Sequence, residues 1–582
     1  MRLIEVRLLE GPNVYRLEPV VKVEFAVGRR RTWYGQRDPG RHALVRLGAR
    51  VPAKEWPDPI AAIAAWVRRL RVDHGEGRSG LAVHRSSDPG HWIITFPWTG
   101  EERAQTLTEA AIALADRDVS PSRTARLTGA QERHLARWNE RLAGAGTTPP
   151  PWIRDADRRV PAISISGTNG KSTVTRLITH ILVRTGKHVG TTTSDGVLID
   201  ERVVEAGDWT GPGGAQQVLA RSDIDVAVLE TARGGIVLRG MGYESNDASI
   251  LTNVSSDHLD LQGIHTLPEL AEVKATICRV TKPNGWVVLN GDDPLVAAVS
   301  RRVRANVAFF SMDPAGEGPP RVRRHVANGG RAYLLRNGWV IEASGTSSTK
   351  IAEAARIPIA IGGLARHNIA NALAAAGGAR GLGATIAQVR DGLMDFRPST
   401  ERSPGRLNLF RRGSQLVIVD FAHNEAGISA VLDVAEGMAA GGAGPAAPIT
   451  AIIGTAGDRP DDTLRGIGRI AAQRAQRIAV KETRKYLRGR TSSSVVGELL
   501  DGVKAGGFNL ADVPVYESET AALRAELNGR SADTTARVIV LMCHEERDEV
   551  FALLSELGAR PVDVADELTR LVPRLQERRR RA

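Results

Sequence analysis

Residues 162–183 constrain the fold more than any other stretch of the chain. Ala162-Ile163-Ser164-Ile165-Ser166 is a short β-type run, Gly167-Thr168-Asn169-Gly170-Lys171-Ser172-Thr173 follows without a gap, and residues 174–183 carry helical spacing. A strand that turns through glycines into a helix is a unit of open parallel α/β sheets. The residue types also dictate chemistry. Glycines let backbone N–H groups converge on phosphate oxygens, and the helix that follows offers its positive end to the same anion. Lys171 would neutralise the outer phosphates and Ser172 would place a hydroxyl on Mg²⁺. The longer GxxxxGK pattern needs glycine at 165, which is Ile165, so the loop is a shorter variant and a motor-type NTPase is excluded.

A chain of 582 residues is too long for one core, and its composition divides it. Six of ten tryptophans (Trp33, Trp56, Trp66, Trp92, Trp98, Trp138) fall in residues 1–145, which mix alternating runs at 3–8 and 91–96 with helical spacing at 59–70 and 101–115, an α+β pattern. Gly, Thr and Pro at 144–151 mark a linker, set at 146–160. From 161 to 400, short apolar runs at 162–166, 189–193, 226–230, 249–254 and 287–290 alternate with amphipathic segments, which predicts a mostly parallel sheet covered by helices. After a break at 397–405, runs at 416–420, 449–454, 478–480 and 538–542 predict another α/β domain over 401–582, with 441–448 as a loop.

No apolar stretch reaches membrane-spanning length, and Arg2, Arg7 and Gly11-Pro12 interrupt the N-terminus where an export signal would be apolar, so a cytoplasmic protein is expected. Cys278 and Cys543 are too few for a disulfide framework. The net charge of +12 invites a nucleic-acid reading, but 68 arginines stand against ten lysines, and Arg578 to Arg581 read as a solvated tail. A nucleic-acid partner is therefore not expected. Two of the ten lysines, Lys171 and Lys274, fall in motifs.

Glu230 ends an apolar run where parallel sheets present ligands, and His258 follows the next run at the same edge. Together with Ser172 they form an expected magnesium site. The phosphate loop, Glu230, residues 253–260 (NVSSDHLD) and Lys274 resemble, in order and spacing, the Mur ligases, ATP-dependent amide-bond synthetases. Further matches are residues 362–368 (GGLARHN) with Asn371, Gly405-Arg406, residues 420–424 (DFAHN), and Gly454 with Gly457-Asp458-Arg459. The resemblance implies a Mur-ligase-like central P-loop domain, a C-terminal Rossmann-like α/β domain and a small α+β N-terminal domain, with ATP and Mg²⁺ as cofactors. It also implies roles for single residues. Lys171, Glu230, His258 and Lys274 would be catalytic, Lys274 as a lysine that many members carbamylate. Gly167, Thr168, Asn169, Gly170, Lys171, Ser172 and Thr173 would hold phosphates, Asn368 and Asn371 would sit near adenine, Arg406 would bridge two domains, and Asp420 and His423 would approach ribose and phosphates.

Within the family the resemblance narrows to the ligase half of the cyanophycin synthetases, through residues 192–197, 207–212, 230–235, 481–482 and 488–490, and through 7–15 and 92–110 for their small N-terminal domain. Thr193, Asp195, Trp209, Arg233, Lys481, Arg488 and Arg490 are the expected substrate-selecting residues. The ATP-grasp domain of that group has no counterpart; the linker stands in its place. The implied activity joins an amino acid such as Arg to a carboxylate of an Asp-containing peptide or similar acceptor. Alternatives are a peptidoglycan-type or polyglutamate acceptor, or a degenerate subunit partnering a separate ATP-grasp ligase. The sequence leaves a homo-oligomer open.

Overall fold

The computed structural model describes residues 1–27, 47–256, 259, 261–440, 446–528 and 536–563. Trp33, Asp257, His258, Asp260, residues 441–445 and Arg578 to Arg581 lie outside them.

Three sheets organise the chain. The first is antiparallel, built from Arg2–Leu9, Val20–Ala26, Ala82–Arg85 and His91–Pro97, and covered by the helices Asp58–Asp73, Glu101–Asp116 and Gly129–Gly144. Trp66, Trp98 and Trp138 fill its core with Phe25 and Phe96.

The second sheet has eleven strands. At its centre β1 (Ala162–Ser166) runs parallel to β2 (Val226–Glu230) on one side and β3 (Asn246–Leu251) on the other. Register sets Ile165 beside Glu230 and Ser166 beside Leu251, so the three C-terminal ends lie at one edge. The outer strands turn antiparallel, as hairpins at Gly196–Ile199 with Arg202–Ala206, and at Arg331–Arg336 with Trp339–Ser344 and Ser347–Glu353. The α/β class with a mostly parallel centre is observed; these hairpins are not foreshadowed by apolar runs. A second difference is β3, which ends at Leu251, short of Val254. Residues 252–255 instead bond to the glycine loop: Thr168 N–H donates to Asn253 O (2.8 Å) and Ser255 N–H to Thr168 Oγ1 (3.1 Å).

Helix α1 (Lys171–Val183) buries Val174, Leu177, Ile178 and Ile181 on one stripe. It packs beside α2 (Arg366–Gly381), whose alanines and glycines admit close approach: a Cβ at Gly378 would crowd Ile163, Ile178 and Ile250. The third sheet has seven strands, with β4 (Gln415–Asp420), β5 (Arg477–Lys481) and β6 (Arg537–Met542) among its parallel members. Helices α3 (Glu425–Ala439) and α4 (Arg547–Glu556) start just after β4 and β6.

Candidate active site

The glycine loop is held in a conformation that only its own residues permit. Gly167 and Gly170 have φ of 149° and 87°, and a Cβ at 167 would collide with Thr252 while one at 170 would collide with the Asn371 amide. Asn169 N–H donates to Asn253 Oδ1 (2.9 Å), Asn169 O accepts from Thr252 Oγ1 (2.7 Å), Lys171 Nζ donates to Thr168 O (2.9 Å), and buried Lys274 Nζ donates to Gly167 O (2.7 Å). Gly170 caps α1 without a side-chain acceptor, which leaves the first N–H groups of the helix to face an incoming anion. Ser172 is buried and Thr173 half-buried on that first turn.

Glu230 is 3% exposed. Its Oε1 accepts from Ser172 Oγ (3.1 Å) and its Oε2 has no hydrogen-bond partner. Burial pushes the carboxyl above its ordinary pKa, against the pull of Lys171 and Arg406. A hydroxyl and a carboxylate, one oxygen of it unsatisfied, form a hard-oxygen donor set beside a phosphate-shaped loop, and so fit Mg²⁺. His258, the third expected ligand, lies outside the described residues.

On α2, Asn371 Nδ2 donates to Asn368 Oδ1 (3.0 Å) and Asn368 Nδ2 to Ile359 O (2.9 Å), which turns the Asn371 carbonyl oxygen toward Gly170. The Arg406 guanidinium stacks on Phe421, 4.4 Å from the ring centre. Asp420 accepts from Leu407 N–H (2.8 Å); burial raises its pKa, with Arg406 opposing. His423 Nδ1 bonds Phe421 O (2.9 Å). Its neighbour Asn424, present in the motif yet not singled out, pairs its carboxamide with that of Asn169 (3.1 and 3.4 Å) and so links the third domain to the glycine loop.

The expected substrate residues meet different partners. Asp195 receives Arg176 Nη2 (2.7 Å) from α1 and Arg547 Nη1 (2.6 Å) from α4; burial alone would raise its pKa, yet Arg176, Arg406 and Arg547 hold it below the usual carboxylate range. Arg233 is buried and donates to Leu261 O and Gln262 Oε1 (3.3 and 3.2 Å). Trp209 is half-buried, its backbone N–H on Thr193 O (3.1 Å). Three of these residues are tied into local structure. Thr193 is fully buried, its hydroxyl closing the turn to Gly196 (3.2 Å). Lys481 is 1% exposed, with Nζ on Glu519 Oε1 (2.6 Å) and Thr483 Oγ1 (3.1 Å), so its ammonium is engaged inside the domain. Arg490 is tied to Asp461 (2.7 Å) and Ser494 (2.8 Å), a local brace. Arg488 is exposed over Tyr486, with φ of 52°.

Around Lys481 lies a network that sequence spacing does not reveal. Glu519 also accepts from the N–H groups of His544 (2.6 Å) and Glu546 (2.9 Å) and from Cys543 Sγ (3.1 Å). His544 Nε2 reaches Ala422 O (2.8 Å), and Glu545 accepts from the N–H groups of Arg484 (2.8 Å), Lys485 (2.5 Å) and Tyr486 (3.1 Å). Glu519, through His544, and Glu545, directly, thereby hold the 420–424 loop and the 484–486 loop.

A strand, glycine loop and helix beside a buried strand-end carboxylate, with a second α/β domain closing on the loop, define a nucleotide-site architecture. Residues 165–379 match the Mur ligase middle domain and residues 405–563 the Mur ligase glutamate ligase domain, so the chain belongs to the Mur ligase family. More particularly, it is 40% identical over 374 residues to cyanophycin synthetase of Crocosphaera subtropica, covering 64% of this chain and 42% of that protein. It is also 40% identical over 370 residues to cyanophycin synthetase of Synechocystis sp., covering 64% and 41%. It thus spans about two fifths of the length of these relatives. UDP-N-acetylmuramoyl-L-alanyl-D-glutamate--2,6-diaminopimelate ligase of Chlamydia pneumoniae is 27% identical over 353 residues, covering 59% and 66%. Among solved structures, E. coli FolC in complex with DHPP and ADP is 18% identical with a TM-score of 0.49, covering 68% of this chain and 89% of that one. Among the described residues no helix is long and apolar enough to cross a membrane.

Proposed function

We propose that the chain is an ATP-dependent ligase that joins an amino acid to a carboxylate acceptor through an acyl phosphate. The observation that carries this reading is Glu230: a buried carboxylate, one oxygen on Ser172 and the other unsatisfied, beside a glycine loop that carries Lys171.

A carboxylate resists amines because oxide is a poor leaving group. Transfer of the ATP γ-phosphoryl group to the acceptor breaks the bond to the β-phosphate, releases ADP and makes an acyl phosphate; the amine then attacks the acyl carbon, loses a proton and expels phosphate. Such transfer depends on positioning and on stabilising spread negative charge. In this assignment the loop Gly167 to Thr173 receives the phosphates, with the N–H groups at the start of α1 as donors, and Lys171 neutralises the moving group. Ser172, Glu230 and His258 would hold Mg²⁺, which neutralises phosphate oxygens. Asn368 and Asn371 would lie toward the base, and Asp420 and His423 would approach from the third domain. Arg406 places positive charge near Glu230 and Asp420. Arg176–Asp195–Arg547 holds the domains together so that water is kept from the acyl phosphate. If Lys274 works as its carbamate, activity rises with added bicarbonate, and Lys274→Glu retains activity that Lys274→Ala loses.

For the acceptor we assign a side-chain carboxylate of an Asp-containing peptide and for the amine an amino acid such as Arg, by similarity to the cyanophycin synthetases. Backbone extension of such a peptide would fall to a separate ATP-grasp ligase. The second reading, an amino acid added to a peptidoglycan-type or polyglutamate acceptor, is favoured by the diaminopimelate ligase relative.

The test is ADP release by purified protein with amino acids screened against aspartyl and glutamyl acceptors, and product mass. ADP should appear only when acceptor and amine are both present, and Lys171→Ala should lower the rate by about 10³-fold or more. Full activity in that variant would sink the reading; Mg²⁺-dependent ATP binding without turnover on any pair would replace it with the degenerate-subunit alternative.

A further inference from the structure

The strand Asn306–Ser311 and the connections on either side of it border an open surface cavity of about 440 Å³, within the range of small-molecule pockets. Arg301, Arg321, Arg324 and Asn328 line it over a floor that includes Phe309 and His325, and no carboxylate does. None of the three arginines has an ion-pair partner among the described residues. The His325 ring meets Phe309 edge-on at 5.0 Å and its Nε2 contacts Val307 O (3.1 Å), so it contributes shape.

Helix electrostatics account for only part of this. Arg324 is in the last turn of the helix Pro320–Ala327, where a cation meets the carbonyl end favourably. Arg321 is in the first turn, where positive charge meets the positive end, and its Nη1 is buried without a hydrogen-bond partner. Arg301 comes from a different element. Three guanidinia on two elements, two of them exposed and one at the wrong end of its helix, thus face one groove that no carboxylate lines. Arg301 precedes the strand and Asn328 precedes the next one, so the cavity lies at the sheet edge opposite the glycine loop.

We propose that this cavity is a second anion site, for a small molecule that carries two or more phosphate groups. Guanidinium forks bind phosphate oxygens in pairs, and a di- or triphosphate supplies the charge that a single carboxylate lacks.

Inorganic triphosphate, titrated calorimetrically without Mg²⁺ into the full chain, tests this. Lys171→Ala should keep a binding event that Arg321→Gln/Arg324→Gln loses or weakens by about tenfold or more, with Arg301→Gln in between. Unchanged melting temperatures show that these variants fold. Orthophosphate should bind at least about tenfold more weakly than triphosphate. Equal binding by wild type and the double variant would overturn the proposal. So would equal affinities for the two anions, or an aspartyl tetrapeptide that binds while triphosphate does not.

Discussion

Glu230 carries two opposed demands. Its burial favours the neutral acid, whereas a metal requires the carboxylate. An acid whose folded pKa is raised stabilises the fold below its unfolded pKa and loses that contribution as pH rises through the folded value. Glu230→Gln should therefore raise unfolding free energy at neutral pH by about 1 kcal/mol, with the gap closing as pH falls, while Mg²⁺-dependent ATP binding disappears; denaturant melts at several pH values measure the first effect and calorimetry the second. Gly170→Ala should behave differently. Its φ of 87° and the collision with Asn371 predict a loss of about 1–3 kcal/mol together with nucleotide affinity. At this scale the sequence is most readable where a residue type answers a local demand. Glycines at 167 and 170 meet strict backbone requirements, whereas the burial of Lys481 cannot be read locally, because its partner Glu519 lies 38 residues on.

Among the elements, β5 and β6 with the turns after them depend on the Glu519 network. Burial would raise the Glu519 carboxyl, but Lys481 and His544 hold it down to about 2. Burial likewise holds His544 well below its ordinary value. Both groups have depressed folded pKa values, so each stabilises above its unfolded value and weakens as pH falls. The third domain should lose stability in two stages, from about pH 6.5 as His544 is forced to charge and from about pH 4.5 toward 2 as Glu519 protonates. Glu519→Gln should abolish the second stage, read by near-UV circular dichroism. Removal of the Glu545 carboxylate leaves three N–H groups of the 484–486 loop without their acceptor, so Glu545→Ala should raise KM for the amino acid more than it lowers kcat. None of this is legible from spacing, because sheet order, not chain order, brings 481, 519 and 544 together. The apolar runs for β1, β2, β4 and β6 are legible because each is buried on both faces. The exposed strand Arg202–Ala206 offers no such run to read.

Across the whole molecule, the central and third domains meet through Arg176, Asp195 and Arg547. A carboxylate between two guanidinia, largely out of water, is costly to break on one side only. Asp195→Asn should open the arrangement, with a larger radius of gyration in X-ray scattering without nucleotide and a KM for ATP raised by about tenfold. The Asp195→Asn/Arg547→Gln double variant should be less impaired than the sum of its parts. Asp195 is legible in its motif, expected to select substrate, but its arginine partners lie 19 and 352 positions away, which no local pattern joins.

The paired carboxamides of Asn169 and Asn424 make a two-point bridge from the glycine loop to the third domain. Asn424→Ala removes both points at once, so the loop should lose its direct tie to that domain and ATP should leave faster, with a shorter residence time in stopped-flow kinetics.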